Sequence, residues 1–231
     1  MRKAPRNSTL SVLYEDDAVV ALDKPAGLPA VPIPGSRTPS AWSLVAAALR
    51  RKRQGCFVVH RIDRFTSGIL LFAKTAADRD ALVRQFLAHT PERQYLAVVR
   101  GHPAPKEATL IHYFRRVGMV QKLRTEADPA AARAELRYAV ERPLRNAALV
   151  RVTLVTGLQN QIRAQFAAIG HPVAGDRKYR EAEAAERLID RVALHATHLG
   201  FVHPRSGARI AIESEPPGDF RNLVRRLSPG R

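Results

Sequence analysis

Residues 60–68 read His-Arg-Ile-Asp-Arg-Phe-Thr-Ser-Gly and run directly into the apolar stretch Ile69-Leu70-Leu71-Phe72-Ala73. Asp63 lies between Arg61 at i−2 and Arg64 at i+1, so a lone carboxylate is set among cations. Neighbouring guanidiniums keep a carboxylate ionised and oriented, which a nucleophile or a general base requires. The same arrangement also serves as a plain structural ion pair, and from these residues alone the two readings stand level. Cations in such a loop attract phosphodiesters as well, which makes His60, Arg61 and Arg64 candidate nucleic-acid contacts. Thr66, Ser67 and Gly68 are small and turn-favouring, and the apolar run behind them reads as a buried strand able to hold a functional loop rigidly.

Charge points to the partner. The chain of 231 residues carries 38 Lys and Arg against 21 Asp and Glu, a formal net charge of +17. A surplus of that size concentrates polyanions around a folded body, so nucleic acid is the first partner to consider, ahead of a membrane surface or a merely Arg-rich proteome. A hydrophobic content of 45% with 26% charged residues is that of a globular protein, neither disordered nor membrane-embedded. No window approaches the roughly 18 consecutive apolar residues of a spanning helix, and the N-terminus lacks the apolar core of a secretory signal. A single cysteine, Cys56, excludes an internal disulfide framework and a multi-cysteine zinc site. The expectation is a cytoplasmic, monomeric protein.

The elements that must position Asp63 follow from pattern. Val12 and Tyr14, then Ala18–Lys24 beyond an acidic turn, predict a hairpin. The segment from Lys24 to Ser40 is too rich in Pro and Gly for a helix or inner strand and is expected to be a shaped loop. Ser40 can cap a helix whose apolar positions include Leu44, Val45, Ala48 and Leu49, and whose end carries Arg50, Arg51, Lys52 and Arg53. Those four cations suit the negative end of the helix dipole and equally form a phosphate-attracting patch. Thr75 opens a second amphipathic helix with Leu82, Val83, Phe86 and Leu87.

Buried strands are predicted ending at Gly101 and Gly157, separated by polar, Arg-rich sequence with weak strand signals and a turn at Asp128-Pro129. Ile162, Phe166 and Ile169 give a short helix over 159–169 that stops at Gly170. The tail alternates like strands across Ser206-Gly207 and ends in a short basic helix. His195, His198 and His203 fall on a predicted strand at offsets unsuited to a shared metal. The whole is expected to be one α+β domain over residues 1–231, a large mixed, mostly antiparallel sheet flanked by helices, with residues 1–9 flexible.

Several segments, taken together, resemble one family. The stretch from His60 to Thr75 is similar to the signature of the RluA class of RNA pseudouridine synthases, His-Arg-Leu-Asp-x-x-Thr-Ser-Gly-Leu-Leu. Residues 12–27, with Lys24-Pro25-Ala26-Gly27, resemble that family's N-terminal strand pair and following loop. Residues 93–101 resemble its tyrosine motif, 156–179 its arginine motif and 194–207 its closing segment. The likeness spans roughly residues 10–225, in order.

The resemblance implies a sheet in two halves with a central cleft, and isomerisation of uridine to pseudouridine in tRNA or rRNA with no cofactor or metal. It implies that Asp63 is the essential aspartate, acting as a nucleophile or as a base toward the ribose 2′ proton. Arg163 aligns with the arginine that pairs with this aspartate, Tyr95 with the active-site tyrosine, and Arg61 with the arginine that fills the place of the extruded nucleotide. Lys24, His60, Arg64 and the Arg50, Arg51, Lys52, Arg53 cluster are taken as RNA contacts. No segment ahead of Val12 would hold the S4-type RNA-binding domain of some relatives. Where the family shows Arg-Thr-His, this chain has Leu158-Gln159-Asn160, which puts local support and substrate choice in question. Two other functions fit the charge: an RNA-binding protein of the same fold without catalysis, and an aspartate-dependent hydrolase of anionic substrates.

Overall fold

A computed structural model describes residues 10–179 and 189–229; the flexibility expected of residues 1–9 falls outside them. In chain order the elements are β1 (Ser11–Glu15), β2 (Val19–Lys24), α1 (Ala41–Arg51), β3 (Phe57–Val58), β4 (Ser67–Ala73), α2 (Ala76–Leu87), β5 (Glu92–Arg100) and β6 (Glu107–Val117). There follow β7 (Val120–Arg124), β8 (Ala132–Leu144), β9 (Ala147–Leu154), α3 (Gln161–Ala168), β10 (Leu194–Val202), β11 (Arg209–Glu213) and α4 (Gly218–Leu227). The strands form a single sheet ordered β1-β2-β4-β10-β5-β9-β8-β6-β7, with β11 on β10 and β3 on β4. The β4–β10 pairing is parallel and the others described are antiparallel, as the α+β expectation requires.

β4 is buried along its whole length and feeds two cores by alternation. Leu70 and Phe72 pack with Val20, Leu22, Val45 and Leu49 beneath α1, while Ile69, Leu71 and Ala73 pack with Leu82, Leu199 and Phe201. A third, larger core joins β5, β8 and β9 to Ile162 and Phe166 of α3 and to Phe220, Leu223 and Leu227 of α4. Both early helices start where capping residues stand. The Ser40 hydroxyl accepts from the Ser43 backbone N–H at 3.1 Å and the Ser43 hydroxyl from that of Ser40 at 2.9 Å, a reciprocal cap of about 1 kcal/mol. Thr75 caps α2 through Asp78 N–H.

Gly68 explains the glycine after Thr66-Ser67. Its φ is +107°, and a Cβ there would lie 2.1 Å from the Ala196 carbonyl oxygen. Only glycine lets β4 begin against β10 at this point. One register row then crosses the sheet: Lys24 opposite Gly68, Gly68 opposite Ala196, Ala196 opposite Tyr95. Lys24, the loop before β4, and Tyr95 are thereby brought to one end of the central strands.

The Arg-rich stretch between β5 and β9, where the strand signals are weak in the sequence, is three paired strands, β6, β7 and β8. Its residues alternate in exposure around the inward Phe114, Ala134, Leu136 and Tyr138, so a half-buried sheet margin carries the arginines outward. Helix α3 begins at Gln161, not at 159, because Asn160 holds the left-handed conformation at φ 57°.

Candidate active site

Asp63 closes a tight turn: the Thr66 N–H donates to its carbonyl at 3.1 Å, and Arg64 and Phe65 form the corners. Its side chain keeps 23% of its surface exposed. Arg163, a hundred residues away, reaches it from α3 and donates from Nη1 to Asp63 Oδ2 at 3.0 Å. The other carboxylate oxygen of Asp63 has no hydrogen-bond partner among the described residues.

Arg163 is itself fixed before it touches Asp63. Its Nε and Nη2 donate to the two oxygens of Asp176 at 2.6 and 2.9 Å, and Nη1 also donates to Asn160 Oδ1 at 2.6 Å. Four of the five guanidinium donors are thus engaged. The Tyr179 ring covers the guanidinium, 5.4 Å from ring centre to Cζ. Burial alone would lower the Arg163 pKa, but the hydrogen bonds and charge of Asp176, then of Asp63, outweigh it and raise it. The result is a permanently charged, preorganised cation held against the Asp63 carboxylate.

Asp176 was not singled out by the sequence. Its side chain is fully buried, and its Oδ1 accepts from the Lys178 N–H at 2.8 Å as well as from Arg163. Gly175 permits this: its φ is +76°, and a Cβ would fall 1.9 Å from the Arg191 carbonyl oxygen. Helix α3 is anchored by two further polar residues. Gln161 bridges Thr156, Leu158, Glu135 and Gln165, and Gln165 reaches the carbonyls of Leu110 and Ala134. Buried amides so completely satisfied fix the helix, and with it Arg163.

The departure at Asn160 supplies local support. Besides accepting from Arg163, it donates from Nδ2 to the Met119 carbonyl at 3.2 Å in the β6–β7 turn. Leu158 packs near Phe114 and Ala164, and Gln159 makes no contact that explains it.

Tyr95 projects from β5 into the same region, 8% exposed, and its hydroxyl has no partner among the described residues. Burial lifts its pKa to about 12, against the nearby Arg93 and reinforced by Asp63. The phenol therefore stays protonated at neutral pH and offers a donor. Arg93, also missed by the sequence, donates to the Val155 carbonyl and lies 5.8 Å over the Phe86 ring.

The predicted RNA contacts separate into groups. Arg61 and Arg64 are exposed beside Asp63; Arg61 has no partner among the described residues. Arg50, Arg51, Lys52 and Arg53 are exposed too, but Lys52 pairs with Glu15, which also pairs with Lys74 at the far end of β4. Along a strand of this length that is about 20 Å from the Asp63 turn.

Lys24 is withdrawn from the RNA contacts, and His60, half-buried, is engaged within the fold. Lys24 is completely buried, its ammonium donating to the carbonyls of Pro25, Leu28 and Arg64 at 2.9, 2.9 and 3.1 Å. It ties the Pro-rich loop to the Asp63 turn. His60 accepts the Leu71 N–H on Nε2 at 3.1 Å and stacks on Phe86 at 4.7 Å. Burial, then the Arg93 charge, depress its pKa to about 3, so it is neutral.

A pH dependence follows from His60. Below its ordinary pKa of 6.5 the unfolded chain takes a proton that the folded protein refuses until about pH 3. Its contribution to stability is complete above pH 6.5 and is lost as pH falls, by up to about 1.4 kcal/mol per unit. Denaturant unfolding between about pH 7 and pH 4 should therefore show a shallower acid loss for His60→Gln than for wild type; parallel profiles would refute the neutral-histidine assignment.

The three tail histidines serve separate partners: His195 links Ser67 Oγ and the Ser214 carbonyl, His198 meets Glu213, and His203 meets Asp16. Among the described residues no helix is long and apolar enough to cross a membrane.

Comparison with known proteins adds a family. The family model described as RNA pseudouridylate synthase matches residues 18–168. The chain is 33% identical over 235 residues to ribosomal large subunit pseudouridine synthase D of Zymomonas mobilis, covering 96% of this chain and 74% of the relative. It is 34% identical over 220 residues to the dual-specificity RNA pseudouridine synthase RluA of Escherichia coli, covering 94% and 96%. Among solved structures, human RNA pseudouridylate synthase domain containing 1 superposes with a TM-score of 0.76 at 23% identity, covering 99% of this chain and 92% of that one. Human RNA pseudouridylate synthase domain containing 4 gives 0.76 at 19% identity, covering 94% and 92%, a likeness of fold.

Proposed function

The chain belongs to the RNA pseudouridine synthase family and is an isomerase acting on RNA, and on that premise we propose that Asp63 is its reacting group, with tRNA or rRNA as the substrate. The observation that supports this most is the carboxylate's divided state: one oxygen is held by an immobilised Arg163, the other has no partner among the described residues, and the side chain keeps 23% of its surface exposed.

Isomerisation breaks the bond from N1 of uracil to C1′ of the ribose, turns the base, and joins C5 to C1′. The C5 proton then leaves and N1 gains one, so no atom is lost. An ionised Asp63 can enter by attack at C1′ or by removing the 2′ proton, and both routes leave positive Arg163 to orient it. Tyr95 supplies an aromatic wall for the base, and its hydroxyl can relay the C5 proton to solvent, accepting it on the phenol oxygen as its own proton leaves. Arg61, exposed and without a partner among the described residues, fits the role of filling the stack from which the uridine is extruded, a step that costs a few kcal/mol. The acting unit is read as one catalytic body, a monomer in the cytoplasm.

Incubating the protein with a pool of tRNA and rRNA transcripts and digesting the product to nucleosides tests the reading. Pseudouridine should appear at the expense of uridine in one or a few transcripts; an unchanged nucleoside composition across the pool would contradict it.

A further inference from the structure

The turn that carries Asp63 has a residue at its corner that the fold does not use. Corners of tight turns are usually Gly, Asn, Asp or Ser. Here one corner is Phe65, which is 48% exposed and belongs to none of the apolar clusters. The turn is nonetheless rigid. The Arg64 carbonyl accepts from Gly27 N–H at 2.8 Å and from the buried Lys24 ammonium at 3.1 Å, and Arg64 Nε donates to the Gly27 carbonyl at 2.9 Å. Arg64 Cζ lies 5.4 Å from the Phe65 ring centre, and its terminal amino groups have no partner among the described residues. An aromatic face and a guanidinium are thus held out together, two residues from Asp63 and within about 7 Å of it along the backbone.

We propose that Phe65, braced by Arg64, is a stacking platform for the nucleobase next to the target uridine. The inference rests on the reading of Asp63 as the reacting group. Extrusion of the uridine leaves its neighbours without a stacking partner. A fixed aromatic ring restores one, and the adjoining arginine meets the phosphate that links the two nucleotides. Because the corner is preformed, no ordering cost is added on binding. The turn would then contribute to substrate choice through the flanking base, by stacking strength more than by hydrogen-bond pattern.

The test uses a synthetic RNA stem-loop carrying a uridine that the wild-type protein modifies, and two copies with an abasic residue on its 5′ or its 3′ side. On the intact RNA, Phe65→Ala should raise KM by about 5- to 150-fold with the loss carried by KM and not kcat, and Phe65→Trp should restore it. One abasic RNA should raise KM for the wild type to a similar degree and abolish the difference between wild type and Phe65→Ala. An unchanged KM on intact RNA, or an equal loss on all three RNAs, would overturn the platform. Asp63→Asn run on the same RNAs keeps the two claims apart. Activity in that variant overturns the site itself, whereas an inactive Asp63→Asn beside an unaffected Phe65→Ala overturns the platform alone.

Discussion

Asp63→Asn is expected to slow single-turnover pseudouridine formation by about 100- to 10,000-fold while RNA affinity stays equal or becomes tighter. The amide preserves the shape of the side chain, and its oxygen can still accept from Arg163 Nη1, so the turn and α3 should not move. What disappears is the carboxylate oxygen that has no partner among the described residues. Loss of a negative charge next to a bound polyanion cannot weaken binding electrostatically. A variant that binds RNA well and turns over slowly therefore separates chemistry from grip. A rate within a few fold of wild type would mean that Asp63 is a structural ion pair, the reading that its flanking arginines left open.

The second large effect is expected at Asp176. Its side chain is fully buried and accepts two of the four hydrogen bonds that immobilise Arg163. Asp176→Ala leaves a buried guanidinium with half of its partners gone, and removing one member of a buried pair costs about 3–5 kcal/mol. Urea unfolding should show a loss of that size, and the rate on RNA should fall with it because the grip on Asp63 slackens. Asp176→Asn, which retains acceptor and volume but not charge, should lie between. Stability within about 1 kcal/mol of wild type for Asp176→Ala would show that Arg163 is held by Asn160 and Tyr179 without it.

These two residues differ in how readable they were. Asp63 announced itself because its neighbours in the chain are unusual: cations around it, small turn residues and a buried strand after it. The pairing with Arg163 spans a hundred residues and has no local signal; it came from the ordered motifs, and the geometry bears the contact out. Asp176, by contrast, sits in Gly-Asp-Arg-Lys, a composition that reads as a solvated turn. Its burial arises only when the loop after α3 threads between the ends of β5 and β10, where Val99 bridges Val173 and Ala193 N–H meets the Ala174 carbonyl.

Charge misled in a comparable way. Lys24 and His60 lie in motifs near the site, and residue type alone made them RNA contacts. Lys24 turns inward because three loop carbonyls need a donor, and His60 because Leu71 N–H needs an acceptor. The helix end at Arg50 to Arg53 was legible as an element, but not its separation from Asp63, which depends on the direction in which β4 runs. β6, β7 and β8 were obscured by arginines on the solvent face; once paired, the alternation around Ala134, Leu136 and Tyr138 is plain.

The most direct test of the account is tritium release from RNA labelled at carbon 5 of uridine, measured side by side for wild type and Asp63→Asn. Joining C5 to C1′ expels the label, so the wild type should release one tritium for each pseudouridine formed and the variant essentially none. No release by the wild type from any RNA in a broad pool, or equal release by both proteins, would contradict the claim that this chain isomerises uridine in RNA at Asp63.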